Sequence, residues 1–367
     1  MITDILADGT TQAPESLSRG LASIDLFAGA GGLSIGLTRA GFKVSAAVEW
    51  LPDACETFSR QHSNADVREG DVGKMSFRHL RGSITLVAGG PPCQPWSTGG
   101  KRLGVDDPRD GFPQFLRVLR EIQPEAFLIE NVAGLVRGAR QYYFQQLLDN
   151  LQSLQSLDEP TALGYRVSWK VLNAADYGVP QKRQRLVMVG MRDHKFQFPL
   201  PTHGRQGRCP WVPSGSVIGI EPFGEPNTAV VTYARKPDPR PDPYDGHVFN
   251  GGGRPIDLGR PSPTLLAGMG GNKTPWVDVL GIVPEYHRHL LSGGEPHSGK
   301  VPGARRITVA EAARLQTFPD GMRFAGRPSS QYSQVGNAVP PLLAEVVGRA
   351  LAEQLTFKPR GPGRIDA

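Results

Sequence analysis

The chain predicts an α/β fold on a mostly parallel sheet, with a small loop- and strand-rich domain inserted late in the sequence. Two observations predict it. Between residues 22 and 191 short apolar runs alternate with amphipathic segments, the pattern of strands joined by crossover helices. From 191 to 303 the alternation stops, glycine and proline crowd together, and PDPRPDPYDG and RPSPTLLAGMGGN show no helical period. Strands are expected at 22–27, 44–48, 84–88, 126–129, 166–172 and 185–190, where β-branched and apolar residues concentrate, with one more ending near Asp71 in GDV. Helices are expected between them at 33–40, 113–122 and 142–154.

Regular structure resumes at Thr308, which with Glu311 makes a capping-box pattern ahead of Ala312, Ala313 and Leu315. A last helix is expected from about 340 to 355, since proline is tolerated in a first turn. These helices have no sheet of their own and should return to the N-terminal part. The chain then divides into a main domain, 21–191 plus 304–356, an inserted domain, 192–303, and mobile ends, 1–20 and 357–367.

With 367 residues the chain can bury a core without staples. Cys55, Cys93 and Cys209 are an odd number without CxxC or Cys/His spacing, which argues against a disulfide framework or a structural zinc site and fits a reducing cytoplasm. No apolar run is long enough for a bilayer, and residues 1–19 lack a signal-peptide layout, so a soluble, cytoplasmic protein is expected. A net charge of +6 is compatible with a polyanionic partner without requiring one.

Four motifs carry chemistry. IDLFAGAGGLSIGL, residues 24–37, runs a strand into a glycine-rich turn and a helix, where Gly29, Gly31 and Gly32 allow a sharp turn and close approach of a ligand. Alone, it is shared with dehydrogenases. Glu49 in VEW ends the next strand, where a carboxylate can take both hydroxyls of a ribose. GGPPCQPWS, residues 89–97, presents Cys93 at the end of another strand, with prolines before it stiffening the backbone that would aim a nucleophile. Read alone, a lone cysteine after a strand is more often a small buried hydrophobe. ENV puts Glu130 at the end of an apolar strand, where a partly desolvated carboxylate can hold or donate a proton. QKRQR sets Arg183 and Arg185 two apart, hence on one face, able to reach a carbonyl or a phosphate.

FAGAGG, VEW, PPCQPWS, ENV, QKRQR, RITVAEAARLQTFPD and QVGNAVPP occur in this order, and together they resemble the cytosine-C5 DNA methyltransferases, especially the bacterial modification enzymes. The resemblance implies a Rossmann-like sheet with a target-recognition domain, S-adenosyl-L-methionine as cofactor with S-adenosyl-L-homocysteine as product, and no metal. It implies a monomer acting on double-stranded DNA, with room for a cognate restriction endonuclease acting separately. Cys93 would attack C6 of a flipped cytosine, Glu130 would serve N3 and the 4-amino group, and Arg185, supported by Arg183, would hold O2. Phe27, Ala28, Gly29 and Gly31 would line the methionine part of the cofactor and Glu49 the ribose. Trp50 would lie against the adenine, Asp71 with Val72 would take its amino group, and Pro92, Asn337 and Ala338 would close the site. Gln94, Ser97 and Arg102 would contact DNA from the loop after Cys93. Thr264 and Leu265 mark the recognition domain, and Arg254 and Arg260 are its candidate guanine readers. Trp96 stands where the family often has phenylalanine. The alternatives are a tRNA-directed relative with the same chemistry, a catalytically idle DNA-binding protein, and a nicotinamide dehydrogenase, which would leave PPCQ, ENV and QKRQR unexplained.

Overall fold

The structure is a computed structural model that describes residues 20–92, 110–159, 161–221, 224–250 and 252–356. The chain ends expected to be mobile fall outside it, as do Cys93, Gln94, Ser97 and Arg102.

The first half forms β1 (Leu21–Leu26), α1 (Gly32–Arg39), β2 (Phe42–Glu49), α2 (Pro52–Gln61), β3 (Asp66–Glu69), β4 (Leu86–Gly89), α3 (Phe112–Ile122), β5 (Ala126–Val132), α4 (Gln141–Gln152), β6 (Arg166–Asn173) and β7 (Gln184–Met191). The seven strands make one sheet in the order β3-β2-β1-β4-β5-β7-β6. Only β7 runs against its neighbours. Central strands covered on both faces read as unbroken apolar runs, and β4 is buried at every residue. Alternate residues serve opposite faces. Val87, Phe127 and Ile129 pack with Phe115, Val118 and Leu119 of α3 and Leu147 and Leu151 of α4, whereas Leu86, Ala88 and Leu128 pack under α1 on the other side. The buried positions 115, 118, 119 and 122 of α3 are one helical stripe, and Pro113 stands in its first turn where its missing N–H costs nothing.

From β1 the chain steps outward to β2 and β3, then crosses back to β4 on the other side of β1. Neighbours whose connections diverge leave a crevice at their carboxyl ends, and β1 and β4 end side by side at Leu26 and Gly89.

The second half holds β8 (Tyr233–Asp238) paired with β9 (His247–Phe249), then β10 (Pro255–Ile256), β11 (Trp276–Asp278), α5 (Ile282–Leu291) and β12 (Ala304–Arg306), then α6 (Val309–Leu315), α7 (Pro328–Asn337) and α8 (Pro341–Thr356). Two expectations need correction. Residues 191–303 do contain a helix: α5 buries Val283, Tyr286 and His287, a single stripe, and Pro284 sits harmlessly in its first turn. The inserted unit also does not end at 303, because β12 pairs antiparallel with β11. Nor is its core separate throughout. Ile218, Ile256, Leu265 and Val277 share one cluster with Ile35 of α1 and Leu315 of α6, while Val231, Trp276, Val283 and Val301 form a small core of their own.

α8 returns to the main sheet, where Leu343, Ala344, Val347 and Leu351 join Leu33 and Leu37 of α1. Gly36 makes that contact possible: a Cβ there would lie 2.4 Å from the Pro341 carbonyl oxygen. The capping box forms, with Glu311 N–H donating to Thr308 Oγ1 (3.1 Å) and Thr308 N–H to Glu311 Oε2 (2.9 Å). The same carboxylate accepts from both Nη atoms of Arg305 and from Gly219 N–H, so one cap also holds two neighbouring segments. Burial alone would raise the Glu311 carboxyl, but Arg305 and these N–H donors hold it below the usual range.

Thr308→Ala removes the acceptor for Glu311 N–H and should cost about 1 kcal/mol. Urea unfolding of the two proteins measures it, and equal midpoints would show that α6 does not depend on its cap.

Candidate active site

At the β1 end the chain turns through Phe27 and Gly29, both with left-handed backbone (φ 57° and 54°). For a bulky phenylalanine this conformation is costly, about 1 to 3 kcal/mol, and such strain concentrates at ligand sites. Among the described residues nothing lies within 4 Å of a Cβ built on Gly29, so this turn opens onto free space. Gly32 has a different role from the one the sequence suggested. Its missing Cβ makes room for the chain's own Val339 carbonyl, 2.3 Å from where a Cβ would stand.

Glu49, at the end of β2, is 7% exposed and locks this turn. Its Oε2 accepts from Gly29 N–H (2.8 Å), and its Oε1 accepts from Trp50 and Leu51 N–H (both 2.9 Å). A carboxylate can take about four donors, so three leave capacity for one more. Trp50 beside it is 68% exposed, an indole face with little protein over it. Asp71 accepts from Gly73 N–H through Oδ1 (2.8 Å) and precedes the buried Val72. Ala28 is buried between these elements, and Asn337 stands exposed at the end of α7, followed by Ala338. An open glycine turn, an uncovered aromatic face and two strand-end carboxylates around one crevice suit an adenosine-bearing ligand with an amino-acid tail, so the residues fit the cofactor the sequence implies.

The second half of the site lies at the ends of β4 and β5. Asn131 Nδ2 donates to the Pro91 carbonyl (2.9 Å), and Gly111 N–H donates to the Pro92 carbonyl (3.0 Å). These bonds brace the backbone immediately before Cys93 against β5 and against the start of α3. Glu130 lies beside it: a Cβ on Gly90 would sit 3.4 Å from Glu130 Oε2. Across β5 and β7, Arg185 Nε approaches Glu130 Oε1 to 2.7 Å, both side chains nearly buried. The contact is an ion pair without hydrogen-bond alignment, so Glu130 Oε1 has no hydrogen-bond partner among the described residues. An unfilled acceptor on a buried carboxylate invites a donor from a ligand.

Arg183 and Arg185, expected to act together, take different places. Arg183 is fully buried and donates to the carbonyls of Leu265 (2.8 Å), Gly336 (2.7 Å) and Ala338 (2.9 Å). It supports the site from behind. Thr264 Oγ1 donates to the Lys182 carbonyl (2.7 Å) and Leu265 N–H to Gln181 Oε1 (3.0 Å), so this pair docks the inserted unit onto the segment entering β7. Arg260 has both sides of its fork on acids, with Asp242 and Asp257 each at 2.6 Å, which makes it a brace in this structure. Among the described residues the Arg254 guanidinium meets His247, with Nη2 3.5 Å from Nε2.

Two polar groups lie inside these motifs without a role read from the sequence. Asn131 was legible only as part of ENV, yet its amide is what fixes the proline turn. Asp25, inside β1, is 1% exposed and accepts from Ser34 Oγ of α1 (2.7 Å), while its Oδ1 has no partner among the described residues. Burial pushes its carboxyl up to about 7, the Ser34 bond pulling down against it and Glu49 adding to the rise.

Comparison with known proteins gives the family and the fold. A family model for C-5 cytosine-specific DNA methylases matches residues 21–209 and 267–353. The chain is 34% identical over 348 residues to the Type II methyltransferase M1.HphI of Haemophilus parahaemolyticus, covering 92% of this chain and 88% of that one. It is 33% identical over 355 residues to the Type II methyltransferase M.NgoMIV of Neisseria gonorrhoeae, covering 91% and 97%. The fold is shared with the Dnmt2 methyltransferase of S. pombe, with a TM-score of 0.64 at 18% identity, covering 92% of this chain and all of that one.

The Asp25 carboxyl binds a proton more tightly folded than unfolded, so its contribution to stability is full below about pH 4 and is lost as pH rises through about 7. Asp25→Asn carries no titrating group there. Its stability relative to the parent should therefore rise between pH 4 and pH 8 in urea unfolding, and parallel pH profiles would refute the shift.

Proposed function

The chain belongs to the C-5 cytosine-specific DNA methylases, and from that premise we propose that it transfers a methyl group from S-adenosyl-L-methionine to C5 of a cytosine flipped out of a specific duplex sequence, through a covalent bond from Cys93. The observation that carries the reading is the Glu130–Arg185 pair at the ends of β5 and β7, beside the braced Pro91–Pro92 turn that leads into Cys93.

Stacked cytosine presents neither face to a nucleophile, so the base must leave the helix before reaction. C5 is itself a poor nucleophile. Addition of the Cys93 thiolate to C6 moves the ring electron pair onto C5, and the negative charge is shared with the N3 and O2 side of the ring. Glu130 holds a proton at N3, and its unfilled oxygen accepts from the 4-amino group. Arg185 donates to O2, and its pairing with Glu130 keeps both groups aimed at one edge of the base. S-Adenosyl-L-methionine, when bound, supplies an electrophilic methyl group. A base then takes the C5 proton, the electron pair restores the C5–C6 double bond, and the sulfur leaves C6 as thiolate. Arg183 contacts none of these atoms and acts by positioning Leu265, Gly336 and Ala338 around them. Glu49, Trp50, Asp71 and the Phe27–Gly31 turn would hold the cofactor, and the inserted unit would read the DNA sequence. Since the relatives are named Type II methyltransferases, we take the protein for a modification methylase, with any cognate endonuclease acting separately.

Duplex DNA carrying 5-fluorocytosine at the target should trap the protein in a denaturant-stable adduct, because fluorine cannot leave C5 as a proton does. Cys93→Ser should give no adduct and no methylation while still binding DNA and cofactor. Normal turnover by this variant would remove Cys93 from its role.

Glu130→Gln keeps an acceptor but gives up the carboxyl proton, and single-turnover methylation should slow by about 10²- to 10⁴-fold. A loss of DNA affinity with an unchanged single-turnover rate would refute the assignment.

A further inference from the structure

We propose that the cleft between β8 and β9 reads a guanine in the major groove of the target duplex, with Arg235 as the base contact and Lys236 on a flanking phosphate. This rests on the chain's action on duplex DNA. The β8–β9 ribbon is not a regular hairpin. Tyr233 pairs with Phe249 and Asp238 with His247, so residues 234–237 of one strand stand opposite residue 248 alone. Extra residues of this kind bend a ribbon and re-aim its side chains, and they recur beside functional sites. Here the buried Ala234 and Val248 anchor the distortion, and Arg235 and Lys236 are carried outward.

The distortion opens a cleft of about 510 Å³ whose lining includes Arg235, Lys236, His247, Phe249 and Asn250, and no acid. Its charges are unspent. Neither Arg235 nor Lys236 makes an ion pair among the described residues, whereas nearby Arg240 pairs with Asp238 and Arg260 with two aspartates. Desolvation on binding therefore breaks no existing bridge at Arg235. Asn250 is held through Nδ2 by the Tyr233 carbonyl (3.1 Å), which leaves its side-chain oxygen to the cleft. The floor is stiff, because Phe249 meets the fully buried Trp276 edge-on (5.0 Å) and Tyr233 meets Tyr286 (4.7 Å).

A two-stranded ribbon fits the major groove, and an arginine fork matches the O6 and N7 acceptors of guanine. Lysine, as a point charge, suits a phosphate. Beyond Asn250 the chain passes Arg254 and β10 and reaches Thr264 and Leu265, which sit on Lys182 and Arg183, so a continuous stretch of the inserted unit links the cleft to the segment entering β7.

The test is methylation of a randomised duplex library, read by bisulfite sequencing, for the parent, Arg235→Ala, Arg235→Lys and Lys236→Ala. The parent should modify one sequence. Both Arg235 variants should tolerate other bases at a single G·C position of it, with discrimination there reduced about tenfold to hundredfold. Arg235→Lys retains charge and replaces an exposed residue, so the same relaxation in it excludes misfolding as the cause. Lys236→Ala should weaken all sequences alike and make the salt dependence shallower. Unchanged sequence preference in both Arg235 variants, or uniform weakening by Arg235→Ala, would overturn the guanine reading. A parent that methylates no duplex would instead sink the proposed function, and this assignment with it.

Discussion

The site depends on one buried cation. Among the described residues Arg183 makes no ion pair with a carboxylate, and it takes up backbone carbonyls that lie 82, 153 and 155 residues away in sequence. Burial disfavours its charge, nearby Arg185 adds to this, and Glu130 offsets it in part. A buried charge is costly wherever its donors go unused, and since Arg183 Nε has no partner among the described residues, the three carbonyls on its Nη atoms are what offsets that cost. The carbonyls belong to the inserted unit, to the end of α7 and to the turn before α8. One side chain therefore brings two distant stretches of chain, around 265 and 336–338, to the mouth of β7, where Arg185 meets Glu130.

Around that fixed centre, other polar groups do similar work at shorter range. Glu49 gathers three N–H groups from the glycine turn and the start of α2, and Asn131 holds the proline turn. Glu311 closes its own helix while holding Arg305 and Gly219. In each case a carboxylate or amide meets backbone groups, which fixes loop paths more narrowly than apolar packing can, because hydrogen bonds are directional. The consequence is a rim of firmly placed loops on a sheet whose core is ordinary hydrophobic packing.

Much of the fold was legible because it is local. The seven strands and the capping box at Thr308 follow from periodicity and from residues within a few positions of one another. α5 was hidden in a stretch crowded with glycine and proline, where its short buried stripe of Val283, Tyr286 and His287 is the whole of its helical period. α2 and α7 escaped notice because each buries only a short stripe, Ala54, Cys55 and Phe58 in one and Tyr332 and Val335 in the other. The end of the inserted unit was misjudged because β12 is a strand by virtue of its partner β11, and nothing in ARR itself announces that pairing.

The sequence by itself determined the mostly parallel sheet, the crevice where its strand ends meet, and the motif residues from which the site is proposed, since each depends on residue type and near neighbours. Only the tertiary structure decided which of those residues face a ligand and which hold the frame. Arg183 and Arg185 are one residue apart from being adjacent, yet one is spent on distant carbonyls and the other points at Glu130. Arg235 and Arg260 look alike in the chain, but among the described residues Arg260 pairs with two aspartates and Arg235 with none. The physical reason is common to both pairs: an arginine's role is set by which acceptors are brought within about 3 Å of its fork, and those acceptors come from parts of the chain that meet only on folding.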